Sequence, residues 1–351
     1  MALNSEGENP ANFQEAVDPI LDLIDQELGF DEVAVNQRPF KAACKLVQDF
    51  IPEVRIGDEP PKPPGKMTEF INEAWFKDIY NEVQTWYGNR YGERTSSSGP
   101  DSMVGVTLVA STPFEFRAPI TASRIEVEGE TSWLSFPSAL LPDDNVRDWI
   151  VRPPNWDSFS LSTIKKSDKD LKEVATLLRR ISSRLIGASL KDDKVRNILA
   201  GVKIHLRSAA ILIANEGQEG SYARAQWELQ MACESAYKGL LQQKTGSFPE
   251  IHDIFVLNDH ANLPEKSVKH QWIKNLPRWG EAAELRYGLG EHPTIVGIFF
   301  WYKQTLKIIA GVFENLDGLN LSKAQLLLKK PPWIELPQKS LETKNDEDAK
   351  T

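Results

Sequence analysis

The sequence predicts an α+β protein, with N-terminal helices and a small antiparallel sheet followed by an all-α helical bundle. Apolar residues keep the three-to-four spacing of a buried helix face up to about residue 91 and again from residue 162. Between residues 103 and 136 the period falls to two, in short runs rich in Val, Ile, Thr and aromatics. A length of 351 residues exceeds what one hydrophobic core ordinarily serves, so more than one domain is expected.

The first helix is predicted over Phe13–Leu28, where Val17, Ile20, Leu21, Ile24 and Leu28 share a face. A second is predicted over Asp31–Ile51, ended by Pro52. Residues 57–65 read Gly-Asp-Glu-Pro-Pro-Lys-Pro-Pro-Gly, an extended proline linker. Met67–Tyr91 resumes the helical period through Phe70, Ile71, Trp75, Ile79, Val83 and Trp86. Strands are expected at Met103–Ala110, Phe114–Pro119, Ser123–Val127 and Thr131–Phe136, with a tight turn at Gly129 and Trp149-Ile-Val151 as a closing strand. Arg152-Pro-Pro-Asn-Trp156 breaks the pattern, which places a domain boundary near residue 160.

From Ser162 the chain reads as helix after helix: Asp168–Ser189, Lys194–Asn215, Tyr222–Thr245, Glu265–Gly288 and Ile295–Leu316. The expected organisation is an N-terminal α+β domain over 1–160, a basic connecting helix over 161–192, a helical domain over 193–316, and an extension with a disordered tail over 317–351.

The composition, 41% hydrophobic and 26% charged, is that of a globular protein. No run of eighteen apolar residues occurs and the first ten residues lack an apolar segment, so neither a membrane span nor a secretory signal is expected. Cys44 and Cys233 stand alone, which argues against a disulfide framework or a zinc site and for a cytoplasmic location. The net charge of −9 is unevenly spread: residues 1–164 hold 27 acidic against 13 basic residues, residues 165–316 hold 17 against 22. A balance of +5 in the second region permits a phosphate ligand such as RNA. Lys165, Lys166, Lys169, Lys172, Arg179, Arg180 and Arg184 make its first helix basic, and Arg179, Arg180 and Arg184 are the candidate contacts to an RNA backbone. No glycine-rich phosphate loop, Gly-x-Ser-x-Gly elbow or DNA-binding motif is present, and no cofactor is implied.

Three segments carry the remaining signal. Tyr222-Ala-Arg-Ala-Gln-Trp-Glu-Leu-Gln-Met-Ala-Cys-Glu-Ser-Ala-Tyr-Lys-Gly is a small-residue helix with Glu234 and Lys238 one turn apart. Such a pair on an exposed face contributes a few tenths of a kcal/mol, roughly. Pro249-Glu-Ile-His-Asp-Ile-Phe-Val-Leu follows, with Asp253 at a helix start and His252 expected to bond to backbone. His252, Asp253, Asp259 and His260 are metal-ligand types, but their spacing matches no zinc pattern. Leu285-Arg-Tyr-Gly-Leu-Gly-Glu-His292 completes the set.

In this order the three segments resemble the HEPN family of helical domains, over about Asp193 to Leu316. The resemblance aligns Glu234 and Lys238 with the Glu and Lys of that family's second core helix. It also implies a homodimer, paired through the last core helices. HEPN ribonucleases carry an Arg and, four to six residues on, a His; Arg286 and His292 keep that spacing. His292 would then move a proton to or from the ribose or the leaving oxygen, and Arg286 would hold the charge growing on phosphorus, without metal. Catalytic members usually have a polar residue after the Arg, whereas Tyr287 stands here, as in members that resemble non-nucleases. Two functions therefore stay open. One is an RNA-directed effector of toxin or defence type, an endoribonuclease with an N-terminal regulatory domain. The other is a non-catalytic dimerisation or nucleotide- and ligand-binding module, in which Arg286 ends one helix and His292 caps the next.

Overall fold

The structure, a computed structural model, describes residues 13–56, 59–95, 102–128, 131–188, 192–215, 220–286 and 292–329. It is α+β, and the described residues fall into two compact units. One holds those up to 95, with 125–128, 131–132 and 328–329; the other holds 102–124 and 133–327. The division falls near residue 100 and not at 160, because the first hairpin packs on later helices.

In the first unit α1 (Phe13–Phe30) and α2 (Arg38–Phe50) pack on each other and on α4 (Ala74–Tyr91). The helix expected from Asp31 starts seven residues later. Pro39 occupies its first turn, where a missing N–H costs nothing, and a short 3-10 turn at Val35–Gln37 leads in. Likewise the helix expected over Met67–Tyr91 is broken into α3 (Met67–Phe70) and α4. At the start of the first piece the Glu69 carboxylate accepts from the Lys66 backbone N–H at 3.0 Å. The proline segment is tied across its base, where Val54 and Lys62 exchange backbone bonds of 2.8 and 3.0 Å. Leu21, Ile24, Val47, Phe70, Phe76 and Val83 form the core, and the buried Asp25 carboxylate accepts from Arg38 Nη1 at 3.0 Å and from the Tyr91 hydroxyl.

The second unit begins with β1 (Ser102–Val109) and β2 (Thr112–Pro119), antiparallel with Gly105 opposite Phe116. Their turn uses Ala110 and Ser111 at φ of 50° and 67°. The closing strand expected at Trp149-Ile-Val151 is not formed; Trp149 ends a 3-10 turn, and the segment touches the hairpin by one bridge of Ile150 to Phe116 and by Val151 N–H donating to the Glu115 carbonyl at 3.0 Å. β3 (Ala122–Val127), β4 (Thr131–Ser135) and β5 (Gln325–Lys329) lie side by side in that order, so the start of the expected extension is a strand. The turn at Gly129 and the tail from 330 lie outside the described residues.

α5 (Leu161–Gly187) is not a connector. Leu171, Val174, Leu178 and Ile181 are buried in the same core as Val106 and Phe116 of the hairpin. Around it lie α6 (Asp193–Ala214), α7 (Ser221–Thr245), α8 (Ile254–Ala261), α9 (His270–Lys274), α10 (Trp279–Arg286) and α11 (Ile295–Phe313). The single helix expected over Glu265–Gly288 is two, since Pro277 cannot continue one. α6 and α7 approach closely at Gly239, where a Cβ would lie 2.4 Å from Leu199 Cδ2.

α6 and α11 are long and apolar enough to cross a membrane by length and composition, at mean hydropathy 1.4 and 1.3. α11 buries Ile298, Tyr302, Leu306, Ile309 and Phe313, with 61% of its apolar window inside the fold, whereas α6 buries Leu199, Val202, Leu206 and Ile213 and only 33% of its window. α11 meets α5, α6, α7 and α9. Val296 and Phe300, near the start of α11, are exposed.

Of the basic residues of α5, the three arginines are held by partners in the same unit, whereas Lys165, Lys166, Lys169 and Lys172 are exposed. Arg179 is 1% exposed and donates to the Pro119 and Ala139 carbonyls at 3.0 Å and to the Asp144 carboxylate. Its guanidinium is therefore closed to an RNA phosphate, contrary to the reading from sequence. The period places Arg179 beside the buried Leu178, and only tertiary partners let a cation occupy that position. Arg180 pairs with Glu314, and Arg184 donates to the Phe313 carbonyl at 3.1 Å and to that of Leu316, satisfying the C-terminus of α11. Lys303 of α11 returns the tie through Asp170 at 2.6 Å.

Removing Arg179 takes the cation from Asp144, which keeps only the Leu141 N–H, and a donor from two carbonyls, so Arg179→Ala is expected to cost about 3–5 kcal/mol of stability. Arg180→Ala, at a half-exposed pair, is expected to cost about 1 kcal/mol or less. Urea unfolding followed by circular dichroism decides this, and equal losses would contradict the assignment.

Candidate functional site

The site is built on α7. Ala225, Ala232, Cys233 and Ala236 are fully buried, as the small-residue stripe predicts. Glu234 and Lys238 are not on an exposed face, however. The Glu234 side chain is 5% exposed and Lys238 13%, with Nζ to Oε1 at 2.8 Å. His252 closes the group: Nδ1 lies 3.0 and 3.1 Å from the two Glu234 oxygens. The ring thus bonds to a carboxylate and not, as expected, to backbone, which requires the proton on Nδ1. The His252 carbonyl accepts from Gln230 Nε2 at 3.1 Å, and Asp253 caps α8 by accepting from Phe255 N–H at 2.8 Å. His252 is thus committed to Glu234 and Asp253 to the start of α8, and no three metal-ligand types gather among the described residues.

One step outward, the His252 ring stacks on Trp279 with centroids 4.4 Å apart and planes 15° from parallel. Trp279 also meets Trp227 of α7 at 5.3 Å. Trp279 is the first residue of α10, so this stack sets the helix against α7.

Arg286 ends α10, and its side chain, like residues 287–291, lies outside the described residues. His292 is exposed. It does not cap α11: Thr294 does, its Oγ1 accepting from Gly297 N–H at 3.2 Å. Pro293 therefore precedes the cap and is not in the first turn, because a threonine hydroxyl can accept the orphan amide.

His292 lines a cleft of about 640 Å³ between α7, α10 and the start of α11. Gln226 belongs to one wall, Leu276 and Pro277 to another, Glu281 and Glu284 of α10 to a third, and Trp301 to α11. Glu281 also accepts from Arg278 N–H at 2.9 Å. Gln226 is 3% exposed, and its Oε1 has no hydrogen-bond partner among the described residues. Among the described residues, the charged side chains on this lining are the carboxylates of Glu281 and Glu284, joined by the His292 imidazole.

Sequence reasoning missed Gln226, Glu281, Glu284 and Trp279. A faint signal existed for the first: Gln226, Gln230 and Tyr237 continue a buried stripe with polar groups, which need partners when buried. The two glutamates carry none, since surface acids and cleft acids look alike in a helix without a hydrophobic period.

No protein-family model, no curated protein and no solved structure matches the chain.

Neither thiol is a nucleophile. Burial pushes the Cys44 pKa up to about 11. Burial raises that of Cys233 to about 12. Ellman's reagent at pH 8 is therefore expected to label almost none of the native protein and two thiols per chain in denaturant. Rapid native labelling of either cysteine would refute this burial.

Proposed function

We propose that residues 193–316 form a HEPN-like module that is not a catalyst and binds a small ligand in the cleft between α7, α10 and α11. The observation that carries this reading is the cleft's lining. About 640 Å³ lies within the range of small-molecule sites, with apolar walls and a few converging polar groups. A phosphate-cleaving centre calls for cations around the reacting phosphorus. Here Glu281 and Glu284 face the same space as His292, and α5 spends Arg179 and Arg184 on internal carbonyls. The first unit would regulate or report occupancy, in a cytoplasmic protein whose two cysteines stay reduced.

A second reading, metal-independent RNA cleavage in a toxin or defence role, is favoured by one observation. His292 is exposed on the lip of a cleft, six residues after Arg286, where the family resemblance expects the catalytic histidine. That reading calls for a homodimer, with Val296 and Phe300 as the apolar residues α11 has left to offer.

The two separate in one assay: incubation of the full chain with a mixed RNA pool in the presence of chelator. The ligand-binding reading expects no cleavage above a heat-treated control. Cleavage that falls roughly a hundredfold in His292→Ala, and also falls in Arg286→Lys, would overturn it and establish the ribonuclease.

A further inference from the structure

We infer that a second cavity of this unit, apart from the cleft above, binds a small organic acid, one carboxylate on an apolar body. The inference stands on its own residues and does not depend on what the first cleft holds. The cavity measures about 350 Å³ and lies between the β1–β2 turn, the start of α5 and the start of α11. α11 divides the two spaces. Thr294, Gly297 and Trp301 line the cleft, whereas Val296, Phe299, Phe300 and Lys303, spaced three and four apart, line this cavity.

Ser167 of α5 points to a ligand. It lines the cavity and is 3% exposed, yet its hydroxyl forms no hydrogen bond among the described residues. A hydroxyl in a helix can bond to the carbonyl one turn earlier, as Thr176 does to Lys172 at 2.8 Å; Ser167 does not. Nor is its oxygen sealed in the core, as those of Thr107, Tyr302 and Thr305 are. A buried polar group that opens on a cavity without a partner calls for one there.

Charge decides which partner. Lys166, the neighbouring residue, lines the same space, is exposed and has no ion pair among the described residues. The carboxylate on the wall, Asp170, is already met by Lys303 at 2.6 Å. Glu173, one turn on, is held by Lys303 and Lys307 at 3.4 and 2.7 Å. These two acids and two lysines balance, which leaves the Lys166 ammonium uncompensated. A carboxylate can accept from it and from the Ser167 hydroxyl, and such charge-assisted bonds are strong. The starts of α5 and α11 favour an anion in the same sense, although Ser160 and Thr294 already cap part of each. Leu108, Val296, Phe299 and Phe300 supply the apolar wall, and Val296 and Phe300 are exposed surface that the body of the acid would cover.

Isothermal titration of the full chain with 4-phenylbutyrate and with 4-phenylbutylamine tests this, because the two share a body and differ in the sign of their charge. The acid is expected to bind at least tenfold more tightly. Lys166→Gln is expected to weaken the acid tenfold or more at an unchanged melting temperature. Lys172→Gln, at an exposed lysine of the same helix that does not line the cavity, is expected to leave the affinity as it is. Ser167→Ala loses no bond and gains a better helix former, so the unliganded protein is expected to melt no lower than wild type while the acid binds at least threefold more weakly. A lower melting temperature in that variant would make the hydroxyl structural and overturn the proposal. Equal or tighter binding of the amine would overturn it, as would acid binding that Lys166→Gln does not diminish or that Lys172→Gln diminishes as much. Binding of neither compound at millimolar concentration would also overturn it, and would leave the reading of the first cleft untouched.

Discussion

A buried carboxylate on α7 organises the part of the molecule on which function depends. Glu234 is desolvated, and a carboxylate in that position persists only if its oxygens are met by charged or strongly donating groups. Lys238 meets it from its own helix and His252 from the chain just before α8. The second contact spans 18 residues, so it fixes where the chain re-enters the bundle after α7. The same imidazole offers its face to Trp279, which begins α10. One buried charge thereby sets two helices, and the second of them carries the acidic wall of the cleft.

Elsewhere in the unit the same logic runs through α5. Its cations look from sequence like a solvated or phosphate-binding face. In the fold Arg179 gathers the segment after β4, through Ala139 and Asp144, onto the helix, and Arg184 closes the last turn of α11. Arg147 adds a two-pronged bond to Asp168 at 2.8 and 2.6 Å. Buried guanidinium groups suit this work because five donors in a fixed fork can satisfy several carbonyls at once. Lys165, Lys166, Lys169 and Lys172 of α5 stay exposed.

Helix existence was legible wherever apolar spacing was regular: α1, α6, α7 and α11 start and stop within a few residues of their expected places. Breaks inside long periodic stretches were not, because Ile71–Glu73 and the turn at Pro277 interrupt patterns that otherwise continue. The hairpin strands were legible from their period, but their allegiance was not. Val106 and Phe116 join Leu171 and Leu178 in one core, and a contact across more than 50 residues leaves no local trace. Of the candidate site, the Glu234, Lys238 and His252 set was visible as residue types at suggestive positions, while its burial and its third bond were visible only in the fold. The cleft was least legible, since its walls come from three helices and a loop.

Hydrogen–deuterium exchange on Glu234→Gln tests this account most directly. The substitution keeps the shape and replaces a carboxylate oxygen facing Lys238 or His252 with an amide. Amides of α8 and α10 are then expected to lose protection by tenfold or more, while those of α5 and α11 stay near wild type. Unchanged exchange in α10, or an equal loss across the whole unit, would show that Glu234 does not organise the cleft.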